Sequence, residues 1–198
     1  MLLGSTCVVC RHDGGPVCRA CSAGLELATP TVPPRGVDGW TALLVYDPGA
    51  RAVITSLKNG QRRDLVAWLA DQMADHRPAP TGAVVTWAPT GARRRGRRGF
   101  DQAELLARAL ARRWGLPCRS TLRRAPGPPQ AGRRGAQRRE NPAFRVRGRA
   151  PGAVLVVDDV ATTGATLTAA ARALRGGGAV EVRAVVVAHA ARGLRSST

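Results

Sequence analysis

Val154-Leu155-Val156-Val157-Asp158-Asp159-Val160-Ala161-Thr162-Thr163-Gly164-Ala165-Thr166-Leu167 is the stretch that decides the fold of this 198-residue chain. Four consecutive apolar residues fit a central strand of a parallel sheet, buried on both faces. At Asp158-Asp159 the sequence turns abruptly polar, so a strand over Ala153 to Val157 is expected to end there. Two adjacent carboxylates at a sheet's edge repel each other unless something occupies them. The vicinal hydroxyls of a ribose, or a Mg²⁺ ion held near them, suit that place. Thr162 to Thr166 then lead into a helix expected from about Gly164 to Arg175. Hydroxyls and exposed backbone N–H groups at a helix N-terminus attract anions, helped by the helix dipole. Gly164 lets the backbone approach a phosphate closely. Carboxylates facing sugar hydroxyls, with a loop holding a 5′-phosphate beside them, form a consistent pair.

Outward from this stretch, strands and helices alternate. Trp40 to Tyr46 predicts a short strand. Asp47-Pro48 starts a helix running to Lys58, with Val53, Ile54 and Leu57 on one face. Leu65, Leu69 and Met73 recur at helical spacing within Asp64 to Asp75. Ala83 to Ala88 is a β-rich run closed by Pro89. Asp101 to Trp114 predicts a helix that Asp101 caps, with Glu104 three residues on as in a capping box. After Gly176 to Gly178, Val180 to Ala188 makes the last strand. Such alternation predicts an α/β fold, a mostly parallel sheet flanked by helices. Ligands of these sheets sit beyond the carboxyl ends of the strands.

Four parts are expected along the chain. Residues 1–28 hold four of the five cysteines, 29–39 form a Pro/Gly-rich linker, 40–190 form the α/β domain, and 191–198 a tail. Within the domain, 119–152 is dense in Arg, Gly and Pro and reads as a long basic loop.

Composition sets further bounds. Apolar residues reach 44%, too many for a disordered chain, while aromatics are only 4%, so aliphatic and alanine packing builds the core. No apolar run has the roughly 18–20 residues of a membrane span. The N-terminus lacks the pattern of a secretory signal, and a cytoplasmic protein is the expectation. The formal net charge is +18, and Gly91 to Arg149 contributes eighteen arginines against Asp101, Glu104 and Glu140. That field attracts polyphosphates and nucleic acid alike. An Arg-for-Lys compositional bias is the competing explanation of its size, though not of its location. Lys58 is the single lysine, a compact point charge where arginine serves everywhere else.

Cys7-Val8-Val9-Cys10 and Cys18-Arg19-Ala20-Cys21 form two C-x-x-C knuckles. In a cytoplasmic setting disulfides are disfavoured, and the spacing fits a closed, tetrahedral structural Zn²⁺ site. A redox pair or an unmetallated remnant is the main competitor. The segment is too short to fold without metal. Cys118 reads as a small packing residue, His12 as a loop residue, and His76 and His189 have no convergent partners.

The string of apolar strand, Asp-Asp, two spacers and Thr-Thr-Gly-x-Thr resembles the motif by which type I phosphoribosyltransferases bind 5-phosphoribosyl-1-pyrophosphate (PRPP). Other segments resemble one branch of these, the ComF/GntX family linked to bacterial competence and DNA uptake. They are the four cysteines, Leu57-Lys58-Asn59-Gly60, Arg98-Gly99-Phe100-Asp101-Gln102, and Gln130 followed by Arg138-x-x-Asn141 and Ala143-Phe144. The resemblance implies the type I phosphoribosyltransferase fold with a small N-terminal zinc module. Asp158 and Asp159 would meet the ribose hydroxyls, and Ala161, Thr162, Thr163, Gly164, Ala165 and Thr166 the 5′-phosphate. Ala88-Pro89-Thr90-Gly91 would be the pyrophosphate loop, with Arg93 to Arg98 nearby. The basic loop with Gln130, Arg133, Arg134, Arg138, Arg139 and Asn141 would be a flap that closes over the site. The family usually has Asn at the place of Asp101 and Pro at that of Trp87, and a leucine usual after the flap glutamine is replaced near Arg133.

The chemistry implied is phosphoribosyl transfer from PRPP with Mg²⁺ and release of pyrophosphate. Lys58, Arg93 and Arg98 are candidates to meet the departing charge. Three readings follow. The chain is a transferase acting on an acceptor the sequence does not identify, or a single-stranded DNA-binding competence factor serving the DNA-uptake machinery, or a PRPP-sensing regulator without turnover. Intact Asp-Asp and Thr-Thr-Gly-x-Thr favours PRPP binding. The arginine-rich region offers few aromatics for base stacking, so the DNA reading rests on charge.

Overall fold

A computed structural model describes residues 5–59, 62–125 and 143–190. Among them, the elements are α1 (Arg19–Ala23), β1 (Gly39–Val45), α2 (Pro48–Asn59), α3 (Arg63–His76), β2 (Val84–Trp87), α4 (Ala92–Arg98), α5 (Gln102–Trp114), β3 (Leu122–Arg124), β4 (Phe144–Val146), β5 (Ala153–Ala161), α6 (Ala165–Gly176) and β6 (Glu181–His189). Four strands form one sheet in the order β1-β6-β5-β2, and every neighbouring pair is parallel. The mostly parallel sheet flanked by helices is therefore the fold, as the alternation of the sequence indicates.

The two faces of the sheet are covered by different material. Leu155 and Val157 of β5, with Val185 and Val187 of β6, pack into one cluster with Val53, Ile54 and Leu57 of α2, Leu65, Leu69 and Met73 of α3, and Leu106 and Leu110 of α5. Val154 and Val156, with Val182, Ala184 and Val186, pack on the other face against Leu167, Ala170, Ala171 and Leu174 of α6. Burial on both faces is what four successive apolar residues in β5 require. Alanines on α6 let that helix lie close to the sheet.

Helix ends follow local chemistry. Pro48 opens α2, and the Asp47 Oδ1 accepts the Ala50 N–H at 2.7 Å. Asp101 caps α5 by accepting the Ala103 N–H at 3.1 Å, and Gly115 ends it with φ 65°. The expected capping-box partner behaves differently. Glu104 turns to Arg108 at 2.9 Å and towards Arg95 at 3.9 Å, because cations crowd that end of the helix.

Three expectations are corrected. The strand does not stop at Val157; β5 runs on to Ala161, paired with β6 through Asp158↔Val186, Val160↔Ala188 and Ala161↔His189. The long apolar run of β6 extends the ladder past the polar pair. The stretch 119–152 is not wholly loop: Leu122–Arg124 and Phe144–Val146 form an antiparallel ladder, with Leu122 and Phe144 buried beside α6. Arginine-rich Ala92–Arg98 is a helix, α4, that low apolar content conceals. Residues 126–142 and 191–198, which include the expected flap and tail, lie outside the described residues.

The N-terminal segment packs into the main core. Val8, Val17 and Leu25 share the cluster of α2, α3 and α5. Arg62, just before α3, donates to the Thr6 carbonyl at 3.0 Å, to Ser5 Oγ and to Asp64. Residues just before the Pro/Gly stretch run along β1, where Ala28 N–H donates to the Leu43 carbonyl and Val45 N–H to that of Glu26. Arg175 at the end of α6 grips Asp38 with a forked pair at 2.5 and 2.6 Å, and Val182 N–H donates to the same carboxylate.

Candidate active site

A cavity of about 360 Å³ opens at the carboxyl end of the sheet. It is lined by Asp158, Asp159, Thr162 and Thr166 from β5 and the start of α6, by Pro89 and Thr90 after β2, by Lys58 and Gln102, and by Arg98 and Arg124. Tyr46, beyond the end of β1, completes the wall. Carboxyl-end placement is what an all-parallel sheet favours for a ligand.

Because β5 stays extended through its acidic pair, period-two alternation sends the two side chains to opposite faces. Asp159 follows Leu155 and Val157 towards the α2 and α5 face. There its Oδ2 meets Lys58 Nζ at 3.1 Å and accepts from Gln102 Nε2 at 3.1 Å. Asp158 follows Val154 and Val156 towards the α6 face. Its Oδ1 accepts the Asp159 backbone N–H at 2.8 Å. Burial, together with the neighbouring Asp159 charge, pushes the Asp158 carboxyl well above the usual carboxylate range. Adjacent in sequence, the two acids therefore sit in unlike surroundings.

Gln102 carries a cost. It is 5% exposed, and its Oε1 is buried without a partner among the described residues. A carboxylate only accepts, so the amide NH₂ must face Asp159 and the carbonyl oxygen must face away. An unsatisfied buried acceptor costs about 1–3 kcal/mol.

The loop after β2 is fixed by Asp101. This buried carboxylate accepts the Thr90 N–H at 2.7 Å and the Thr90 hydroxyl at 3.2 Å while capping α5. Thr90 thus reaches the cavity with both its N–H and its hydroxyl already engaged. The acid standing where the resembled family usually has Asn can take all these donors, since it accepts through two oxygens.

At the start of α6, Gly164 has φ 71°, a left-handed conformation that favours glycine. A Cβ there would meet Pro34 Cγ at 2.9 Å. Glycine is demanded by backbone conformation and by the residue-34 contact, in addition to any approach of a phosphate. Thr162 and Thr166 line the cavity, while Thr163 is exposed and its Oγ1 lies 3.4 Å from the Ala165 N–H.

The structure brings together Lys58, Pro89, Thr90, Arg98, Asp158, Asp159, Thr162 and Thr166 of the residues singled out in the sequence. Ala161 is buried at the end of β5, and Gly164 and Ala165 sit at the helix start. The Arg93 side chain and Gln130, Arg133, Arg134, Arg138, Arg139 and Asn141 lie outside the described residues. Sequence reasoning gave no role to Gln102, Arg124 or Tyr46. Tyr46 is the single tyrosine and closes the strand expected over Trp40 to Tyr46, a signal that the carboxyl-end rule could have used. Arg124 is one arginine among many, and Gln102 reads as an ordinary first-turn residue.

The four cysteines converge. The Sγ atoms of Cys7, Cys10, Cys18 and Cys21 all lie within 4.8 Å of one another. Burial opposes ionisation of the Cys7 thiol, but backbone hydrogen bonds from Cys10, Cys18 and Val9 outweigh it and bring it down to about 6. Hydrogen bonding with Cys18, then burial, pushes Cys21 up to about 12. Four thiols this close together are a donor set that fits a cation. Cys118 stands apart beside β2, its thiol raised by burial.

Residues 102–197 match the phosphoribosyl transferase domain. No curated protein matches the chain. Among solved structures, an adenine phosphoribosyltransferase from Leishmania tarentolae is similar at 15% identity, covering 69% of this chain and 74% of its own, with a TM-score of 0.38. A purine phosphoribosyltransferase from Pyrococcus horikoshii has 18% identity over 64% and 81%, with a TM-score of 0.36. A hypoxanthine phosphoribosyltransferase variant from Trypanosoma cruzi has 16% identity over 75% and 73%, with a TM-score of 0.36. The matched segment spans α5 to β6, so the acidic pair and the threonine loop lie inside a phosphoribosyltransferase-like region.

Proposed function

We propose that the protein binds PRPP in the carboxyl-end cavity and transfers its phosphoribosyl group to an acceptor, releasing pyrophosphate. The observation that carries this reading is the shared cavity of Asp158-Asp159, the Thr162–Thr166 turn, the Thr90 loop and three cations, with the acidic pair and the threonine turn inside the segment, residues 102–197, that matches the phosphoribosyl transferase domain. The threonine turn and the N–H groups at the start of α6 would hold the 5′-phosphate. The acidic pair would hold the ribose hydroxyls.

Transfer breaks the bond between the anomeric carbon and a pyrophosphate oxygen, through an oxocarbenium-like state comparable to glycoside cleavage. Negative charge grows on the departing oxygen. Arg98 and Arg124 line the cavity and pair with no carboxylate among the described residues, so their charge is available to it. Asp158 and Asp159 line the cavity as hard oxygen donors that fit Mg²⁺. When bound with PRPP, Mg²⁺ would neutralise phosphate charge.

Isothermal titration with PRPP and Mg²⁺ tests the reading. Binding is expected for the wild type and its loss in Asp158→Asn plus Asp159→Asn. Unchanged affinity in the double variant would remove the proposal. Pyrophosphate release with candidate bases separates turnover from a PRPP-sensing regulator.

The four-cysteine cluster supports Zn²⁺ as a structural metal and membership of the ComF/GntX branch. Cytoplasmic residence, where thiols stay reduced, goes with that reading. A second reading, single-stranded DNA binding in competence, is favoured by exposed Arg95 and Arg97 on α4 beside the cavity. A salt titration of oligonucleotide binding, with Arg95→Ser and Arg97→Ser, tests it; an unchanged salt slope goes against DNA contact at α4.

A further inference from the structure

Lys58 is the single lysine of a chain that otherwise relies on arginine, and it stands on the last turn of α2, far in sequence from the acidic pair. A lysine lining a cavity for a polyphosphate is most simply read as a cation for the leaving group. The geometry points elsewhere. Its Nζ lies 3.1 Å from Asp159 Oδ2, and Gln102 Nε2 donates to that same oxygen at 3.1 Å. Arg98 and Arg124, by contrast, line the cavity with no carboxylate partner among the described residues.

We infer that Lys58 and Gln102 are positioning residues for Asp159: together they clamp Oδ2 so that Oδ1 is held ready for a ribose hydroxyl, and neither serves the pyrophosphate. The inference rests on the PRPP reading given above. Three observations support it. Both donors converge on one oxygen from two different helices, which fixes the carboxylate's rotation as a single contact would not. Gln102 holds this pose although its own Oε1 is left buried and unpaired, so the bond to Asp159 dictates the amide's orientation. Lysine suits the task because a compact ammonium can share one oxygen with a second donor, where a planar guanidinium seeks both.

The clamp also explains how two adjacent acids differ. Asp159 is held by two donors on the α2 and α5 face, while among the described residues Asp158 receives a single donor, the backbone N–H of its neighbour.

The test titrates the full-length protein, with Mg²⁺ present, with ribose 5-phosphate and separately with pyrophosphate. Lys58→Met and Gln102→Met remove the donors and keep the side-chain length. Ribose 5-phosphate affinity is expected to fall about tenfold or more in Lys58→Met, and by a smaller factor in Gln102→Met, as loss of hydrogen bonds to a charged group implies. Pyrophosphate affinity is expected to stay within about twofold in both, which also shows that the variants are folded. Loss of pyrophosphate affinity with ribose 5-phosphate unchanged would overturn the inference and make Lys58 a leaving-group cation. Equal loss of both ligands would overturn it in favour of a general structural role. A wild-type protein that binds neither ligand would remove the PRPP reading and this inference with it.

Discussion

In the N-terminal module, four thiols meet through the turns of one short segment, Cys7 to Cys21, whereas the carboxyl-end cavity draws its groups from α2, α4, α5, β3, β5, α6 and three loops. The module is held by near neighbours: Cys7 N–H donates to the His12 carbonyl, Val8 N–H to that of Pro16, and Arg11 N–H to that of Cys7. The cavity is held by partners far apart in the chain, as in Lys58 with Asp159 and Thr90 with Asp101. Local spacing can assemble a ligand set by itself. A site built from distant segments exists only once the sheet has brought them together.

The largest effect should come from breaking the local site. Cys10→Ser plus Cys18→Ser leaves too few thiolates for zinc and releases Val8, Val17 and Leu25 from the core. At about 1.5–3 kcal/mol for each fully buried side chain, the loss is expected to be about 4 kcal/mol or more. Thermal unfolding and a zinc assay near one per chain in the wild type check this; a stable, metal-free wild type would show the module to be self-sufficient.

Next comes Asp101→Ala, which removes a helix cap and leaves the Thr90 N–H without its acceptor. A loss of about 2–3 kcal/mol is expected, read by denaturant unfolding, together with weaker PRPP binding. Asp101→Asn keeps an acceptor and should cost less. If Asp101→Asn matches the wild type, the second oxygen of Asp101 has no part in fixing the loop.

Gly164→Ala tests the turn before α6. The left-handed backbone and the contact with Pro34 predict a loss of about 1–3 kcal/mol. A neutral result would show that the turn relaxes.

The smallest effect belongs to Arg62, which ties the module to α3. The side-chain pair with Asp64 is about a third exposed, at 31% and 37%, so Arg62→Ala is expected to cost at most about 1 kcal/mol. Its pH dependence has a definite sign. The hydrogen bond from Arg62, against a desolvation penalty, holds the Asp64 carboxyl below the usual carboxylate range. A depressed carboxylate contributes stability that is present above its unfolded pKa and lost as pH falls through the folded value. The wild-type advantage should therefore be full at neutral pH and shrink in acid, below about pH 4. A gap that is constant with pH would assign the effect to packing of the arginine stem.

Much of the scaffold was legible because its signals are local. Asp47-Pro48, Asp101 and Gly115 mark helix ends where the structure has them, and the apolar periodicity of Leu65, Leu69 and Met73 is the buried face of α3. The element hidden from such reasoning is α4, whose sequence Ala-Arg-Arg-Arg-Gly-Arg-Arg has no apolar stripe. β3 and β4 were hidden for another reason: each is three residues long, and only their pairing across a long insertion makes them strands.

By itself the sequence determined the parallel α/β scaffold, the acidic pair and threonine turn at its carboxyl end, and the convergence of four cysteines, since apolar runs, caps and ligand spacing act over a few residues. Only the tertiary structure decided where β5 ends and what each acid touches. The ladder with β6 carries the strand through Asp158 and Asp159, so alternation splits them between two faces. Lys58 and Gln102 meet just one of them, through a contact between distant segments that no local pattern encodes.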